Sequence, residues 1–198
     1  MTGVAAARRI LDANGLSHIR IERVAGHLTD HYDPRAKVIR LSGAVYDNNT
    51  AAAVGVAAHE AGHAVQYARG YKPVRIRIAI IPVCSFGSKA AMPLFLIGLL
   101  MSSYVYESDA GYALMMAGIL LFSLATLFQA ITLPVEFNAS RRAIEALESS
   151  GQLAHDEIYD SKRVLRAAAL TYVAALATSL LSLLRLLLIA TAGRRHDD

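Results

Sequence analysis

The chain has 198 residues, of which 55% are hydrophobic and only 18% charged, with a mean hydropathy of +0.37. Soluble domains run near a quarter charged, so the composition argues against a purely soluble fold and for one small domain joined to membrane helices. The formal net charge is +4, but the basic residues sit beside apolar segments in ones and twos without an aromatic RNA-binding pattern, which fits anchoring at anionic headgroups and speaks against nucleic acid. The single cysteine, Cys84, allows neither an intrachain disulfide nor a cysteine zinc knuckle, and reads as a small buried apolar side chain.

The opening "MTGVAAARRILDANG" lacks the apolar core of a signal peptide. It reads as a helix capped by Thr2 and closed by Asn14-Gly15, with Val4, Ala7, Ile10 and Leu11 on one face. "HIRIERV" (His18 to Val24) and "KVIRLS" (Lys37 to Ser42) alternate apolar and polar residues around an Asp33-Pro34 turn signal, as strands of a small antiparallel sheet would. "YDNNT" ends the strand pattern and offers Asn49 or Thr50 as an N-cap. A proline-free, alanine-rich helix of about five turns then runs from Ala51 to Arg69 and stops at Gly70.

Three long apolar segments follow. Ala90 to Tyr106 is the first, with "IRIAIIPVCSFG" as an extension or interfacial stretch ahead of it. The second, Tyr112 to Leu133, is uncharged and stopped by Pro134; the third, Ala167 to Ala192, is broken only by Arg185, whose long side chain can snorkel. Each approaches or exceeds the roughly 17 to 25 residues needed to cross a bilayer. Between the second and third, Ala139 to Leu147 and Asp156 to Arg166 read as two polar helices separated by "SSG". The expected organisation is a head over 1–78, a transmembrane hairpin over 79–133, a second polar segment over 134–166, and a final span and tail over 167–198.

The chemistry lies in "AAHEAGHAVQ", where His59 and His63 fall four apart on the expected helix, with Glu60 directly after the first. Two imidazoles at i and i+4 share a helix face and converge on one zinc ion. The adjacent glutamate can take a proton from water attacking a carbonyl and pass it to the leaving amine. Chance would produce this five-residue pattern in such a chain on the order of one percent of the time.

A catalytic zinc needs a third protein ligand and an open position. The extended His-containing motif that supplies one in some zinc proteases is absent, since Gln66 and Arg69 occupy its Gly and His positions, and no aspartate lies inside an apolar segment. Glu136, expected to begin a helix just after Pro134, is the best candidate, with Glu145, Glu148 and His155 as alternatives. Topology agrees: His59 precedes the first span and Glu136 follows the second, so two crossings return them to one membrane face. In "GHLTDHYDP", the residues His27, Asp30, His31 and Asp33 read as loop groups making Asx-type turns. His31 or Tyr32 remains a candidate donor to a tetrahedral oxyanion.

"GVAAHEAGHAVQ", "LTDHYDPRAKVIRLS", "TLPVEFNASRRA" and "AAALTYVAALATSLLSLLRLLL" together resemble the YugP-type family of neutral zinc metallopeptidases of prokaryotic membranes, over nearly the whole chain from Gly3. The resemblance implies a membrane-integral zinc protease with ligands at His59, His63 and Glu136 and Glu60 as catalytic base. Members usually begin with a further membrane helix, which is not seen ahead of the first block here. Related prenyl-protease and HtpX-type enzymes carry an aspartate four residues after the ligand glutamate to orient a zinc histidine. Ser140 stands at that position here, so its hydroxyl or Asn138 would have to serve.

The expectation is therefore an α+β, mostly helical membrane protein with about three transmembrane helices and a small zincin-like head containing a short antiparallel sheet. It would hold one Zn2+ per chain and hydrolyse a peptide or protein substrate, with the Lys37 to Ser42 strand offering an edge to that substrate. Localisation would be the prokaryotic inner membrane, multi-pass, with the site facing the cytoplasm. A non-catalytic zinc-binding scaffold or chaperone-like subunit is the alternative. A metal transporter is the weakest reading, because the spans lack interior ionisable residues.

Overall fold

The computed structural model describes residues 1–104, 109–151 and 154–192; Tyr106, the expected end of the first apolar segment, lies outside these residues. In chain order the elements are α1 (Gly3–Ala13), β1 (Arg20–Val24), β2 (His31–Asp33), β3 (Val38–Ser42), α2 (Gly43–Tyr46), α3 (Ala51–Ala68), α4 (Lys72–Tyr104), α5 (Asp109–Ser149) and α6 (His155–Ala192). They form two compact units, one of Met1–Arg75 with Leu133–Thr171, the other of Ile76–Thr132 with Tyr172–Asp198.

Local chemistry sets the helix ends of the first unit. Thr2 caps α1 by accepting from the Ala5 N–H, and Thr50 caps α3 by accepting from the Ala53 N–H at 3.2 Å; such caps contribute about 1 kcal/mol each. At the far end of α3, Gly70 adopts φ +62°, and the Gly70 and Tyr71 N–H groups fold back onto the Tyr67 and Gln66 carbonyls. This left-handed closure satisfies the last carbonyls of the helix at no Cβ cost. Leu11 of α1, Ile39 and Leu41 of β3, and Ala57, Ala58 and Ala61 of α3 are fully buried in one core with Ala143 and Leu147 of α5 and Leu165 of α6.

The sheet corrects the expected antiparallel pairing. Its order is β1-β3-β2, with β1 parallel to β3 (Arg20 opposite Val38) and β2 antiparallel to β3 (Tyr32 opposite Ile39). The Asp33-Pro34 turn does close an antiparallel hairpin, but its upstream arm is the three-residue strand His31–Asp33. The arm from Arg20 to Val24 lies on the far side of β3. A strand so short shows no alternation of its own, so its turn signal was paired with the nearest alternating run. A second correction follows: β3 has a neighbour on each side and offers no free edge, and the sheet's outer strand on the site's side is β2.

The prolines are the other correction. Pro82 and Pro93 lie inside the 33-residue α4, and Pro134 lies inside the 41-residue α5 without stopping it. Likewise the segment from Asp156 to Arg166 and the apolar run from Ala167 are one helix, α6. Proline removes one helical hydrogen bond and usually ends a helix, but the turn after Pro134 is held by packing. Val135 and Ala139 are fully buried, and the Val135 carbonyl accepts from the Gln66 side chain at 2.8 Å.

The second unit packs Phe95, Met115, Ile119, Leu186 and Ala190 into an interior, while Phe86, Leu120 and Leu181 are exposed. Cys84 is buried, as composition suggested. All three long helices have the length and composition to cross a membrane.

In the first unit α3 and α5 come backbone-close at Gly62, where a Cβ would meet the Ala139 carbonyl oxygen at 2.5 Å. A methyl there must drive α5 from α3. Gly62→Ala is expected to destabilise the protein by about 1–3 kcal/mol and to reduce zinc retention although no ligand is touched. Denaturation together with metal analysis of the purified variant checks both effects.

Candidate metal centre

α3 is an alanine helix, and its small side chains let it pass through the core of the first unit. That position carries His59 and His63, half-buried and one turn apart, to a face opposed by α5. Their rings meet edge to face, with centroids 4.6 Å apart. From α5, Glu136 projects between them: its Oε2 lies 3.1 Å from His59 Nε2 and 3.5 Å from His63 Nε2. Among the described residues, these three offer ligand atoms within 4.8 Å of one another.

The spacing fits zinc. Two donors each at about 2.0–2.1 Å from a tetrahedral ion lie roughly 3.3 Å apart, and the observed 3.1 and 3.5 Å bracket that edge. Two imidazoles and one carboxylate also match the donor chemistry of catalytic zinc sites. Glu136 sits in the interior of α5 and not at the helix start expected for it. It is 2% exposed. Burial alone would raise its carboxyl, but hydrogen bonds from His59 and His63 outweigh this and hold it well below the usual carboxylate range.

A buried network fixes the ring orientations. The Gln66 amide nitrogen donates to the Val135 carbonyl at 2.8 Å and to Asn138 Oδ1 at 3.0 Å. A backbone carbonyl can only accept, so the Gln66 amide oxygen must face His63 Nδ1, 3.0 Å away. His63 Nδ1 therefore carries a proton, and Nε2 is the nitrogen turned to the cluster, where it would give its lone pair to a bound ion. His59 Nδ1 lies 3.1 Å from Ser140 Oγ, a hydroxyl able to accept in the same way. Both residues proposed as supports in the sequence are thus engaged, Ser140 on His59 and Asn138 through Gln66. Gln66 itself had been noted only as breaking a motif. Its signal was available: a lone polar residue three positions after His63, on the same face of an otherwise apolar helix.

Glu60 is half-buried, and its Oε2 accepts the Tyr32 backbone N–H at 2.9 Å. Burial pushes its carboxyl up to about 7; neighbouring His59 pulls the other way, and Glu136 adds to the rise. His27 and His31 stay outside the cluster, and His31 lies on β2, not in a loop as expected. His31 is exposed and contacts the Thr29 carbonyl, while Tyr32 reaches the site through its backbone and meets Tyr67 edge to face with its ring. Asp33 accepts from the Arg35 and Ala36 N–H groups in a turn, and Asp30 binds Ser42. Glu145 pairs with Arg141, Glu148 with Lys162, and His155 opens α6; none joins the cluster.

A family profile described as "Putative neutral zinc metallopeptidase" matches residues 1–191. The chain belongs to that family. It is also 48% identical over 196 residues to "Putative membrane protease YugP" of Bacillus subtilis (strain 168), across 99% of this chain and 84% of that one. No solved structure matches it. The family description names zinc, the ion that the cluster of two histidines and a glutamate fits.

Replacing Glu136 with alanine should drop bound zinc to well under a tenth of the wild-type content after dialysis. Gln66→Ala, which frees His63 to rotate, should weaken affinity roughly 10- to 100-fold. Competition with a chromophoric chelator measures both.

Proposed function

We propose that the protein is a membrane-integral endopeptidase that binds one zinc ion through His59, His63 and Glu136 and hydrolyses peptide bonds with Glu60 as general base. The observation that carries this reading is the joint geometry: three converging donors with a restrained carboxylate directly beside them on α3. When bound, zinc supplies Lewis acidity, polarising a carbonyl and making water easier to deprotonate.

The chain's own groups do the rest. The Tyr32 N–H holds one Glu60 oxygen, leaving the other to receive a proton from the attacking water and return it to the departing amine. Gln66 and Ser140 keep both imidazoles turned so that Nε2 faces the cluster. An extended substrate would lie alongside β2, the outer strand of the sheet, which supplies that N–H.

Charge distribution supports a cytoplasmic head. Arg69, Lys72, Arg75, Arg77 and Lys89 precede or open the first apolar segment, and Arg141, Arg142, Lys162, Arg163 and Arg166 lie between the second and third. The connection between the first two carries only Glu107 and Asp109. Basic residues near span ends stay on the cytoplasmic side.

Glu60→Gln should keep zinc and fold while hydrolysis of an unstructured protein substrate in detergent falls at least about 100-fold, the lower end of what general acid–base catalysis contributes; a near wild-type rate would remove Glu60 from the mechanism. For orientation, a Cys84→Ser background carrying Asp109→Cys should react with an impermeant thiol reagent on intact cells. Ser149→Cys in that background should not, and the reverse labelling would place the head outside.

A further inference from the structure

The first unit holds a second concavity that His59, Glu60, His63 and Glu136 do not line. It has a volume of about 660 Å³ and is walled by α1, the end of α3 and the last turns of α5. Three arginines, Arg9, Arg69 and Arg142, line it, against a single acidic residue, Glu145. That carboxylate is paired with Arg141 on the outer side of α5.

None of the three arginines has an anionic partner among the described residues. Arg69 gives a hydrogen bond to Asn14 Oδ1 at 3.0 Å and Arg142 gives one to Asn138 Oδ1 at 2.8 Å, both neutral amides. Arg9 Nη1 is buried and has no hydrogen-bond partner. A buried donor left unmade is costly, and like charges gathered in one concavity repel. A bound anion relieves the repulsion. Guanidinium forks match phosphate oxygens in pairs, and three forks are more than the two oxygens of a carboxylate can use. The volume is also within the range of small-molecule sites.

We infer that this cleft binds a phosphate group, held by Arg9, Arg69 and Arg142. The phosphate can be free in solution or belong to a lipid headgroup; the chemistry of recognition is the same. The site does not depend on the hydrolytic reading, and its failure would leave that reading intact.

The test uses the full-length, zinc-loaded protein in neutral detergent. One arm titrates inorganic phosphate; the other adds mixed micelles of phosphatidic acid, with phosphatidylcholine as the zwitterionic control. Thermal stability and calorimetry are the readouts. A saturable response is expected in at least one arm, weakened about tenfold or more by Arg9→Gln and by the exposed Arg69→Gln. It should be unaffected by Arg163→Gln, which removes the same charge from an exposed side chain of the same unit that neither lines the cleft nor pairs with a residue that does. Saturation by phosphate assigns a free anion, and a response to phosphatidic acid alone assigns a headgroup. No saturable response in either arm overturns the proposal. So does a response that survives both cleft variants, as it would if phosphate sat on the zinc, and so does equal weakening by Arg163→Gln.

Discussion

Everything at this centre depends on how closely α3 and α5 approach. Two histidines on one helix would supply only two corners of a metal site; in this cluster the third would come from residue 136, 73 positions beyond His63. The contact that joins them is backbone-close at Gly62 and is locked by the Gln66 side chain, which is fully buried and reaches the Val135 carbonyl and Asn138 on the opposing helix. The same amide turns His63. A single side chain therefore sets both the separation of the helices and the direction of a ligand lone pair. The two requirements are coupled because a buried amide with an unmade bond costs about 1–3 kcal/mol. It also explains why α5 continues through Pro134. A proline costs a helix one hydrogen bond and about 3 kcal/mol or more when nothing compensates, and here the following turn is buried and its first carbonyl has an external donor.

Much of this was legible in the residues. His59 and His63 announce a shared face because the helical period is fixed, and the alanines around them announce a buried helix. Thr50 and Gly70 mark its ends by well-understood cap chemistry. Glu136 could be reached by eliminating competitors and by counting crossings, though for a partly mistaken reason, since it was expected to open a helix that in fact runs through it. The three long apolar helices were legible from composition, but not their limits. The polar residues that extend them, such as Lys72 to Arg77 and Asp156 to Arg166, carry helix without carrying hydropathy.

What escaped has a common cause. Parallel pairing of β1 with β3, the edge position of β2 and the role of Gln66 are all set by contacts between segments far apart in the chain. Local periodicity encodes which face of a segment is apolar, not which segment lies beside it. A three-residue strand is too short to show any period, and a glutamine inside an alanine helix looks like an exception until the groups it touches are known.

The hydrogen bond from Tyr32 to Glu60 has a consequence of its own. Its donor is a main-chain N–H, present whatever side chain occupies position 32, except proline. The posture of the carboxylate is thus insulated from ordinary substitution at that position and tied instead to the path of the strand. A lesion that shifts β2, such as a lengthened turn after Asp33 or a weakened core beneath Ile39, would reach Glu60 from a distance. Scanning side chains one at a time would pass over this restraint, and displacing the backbone would reveal it.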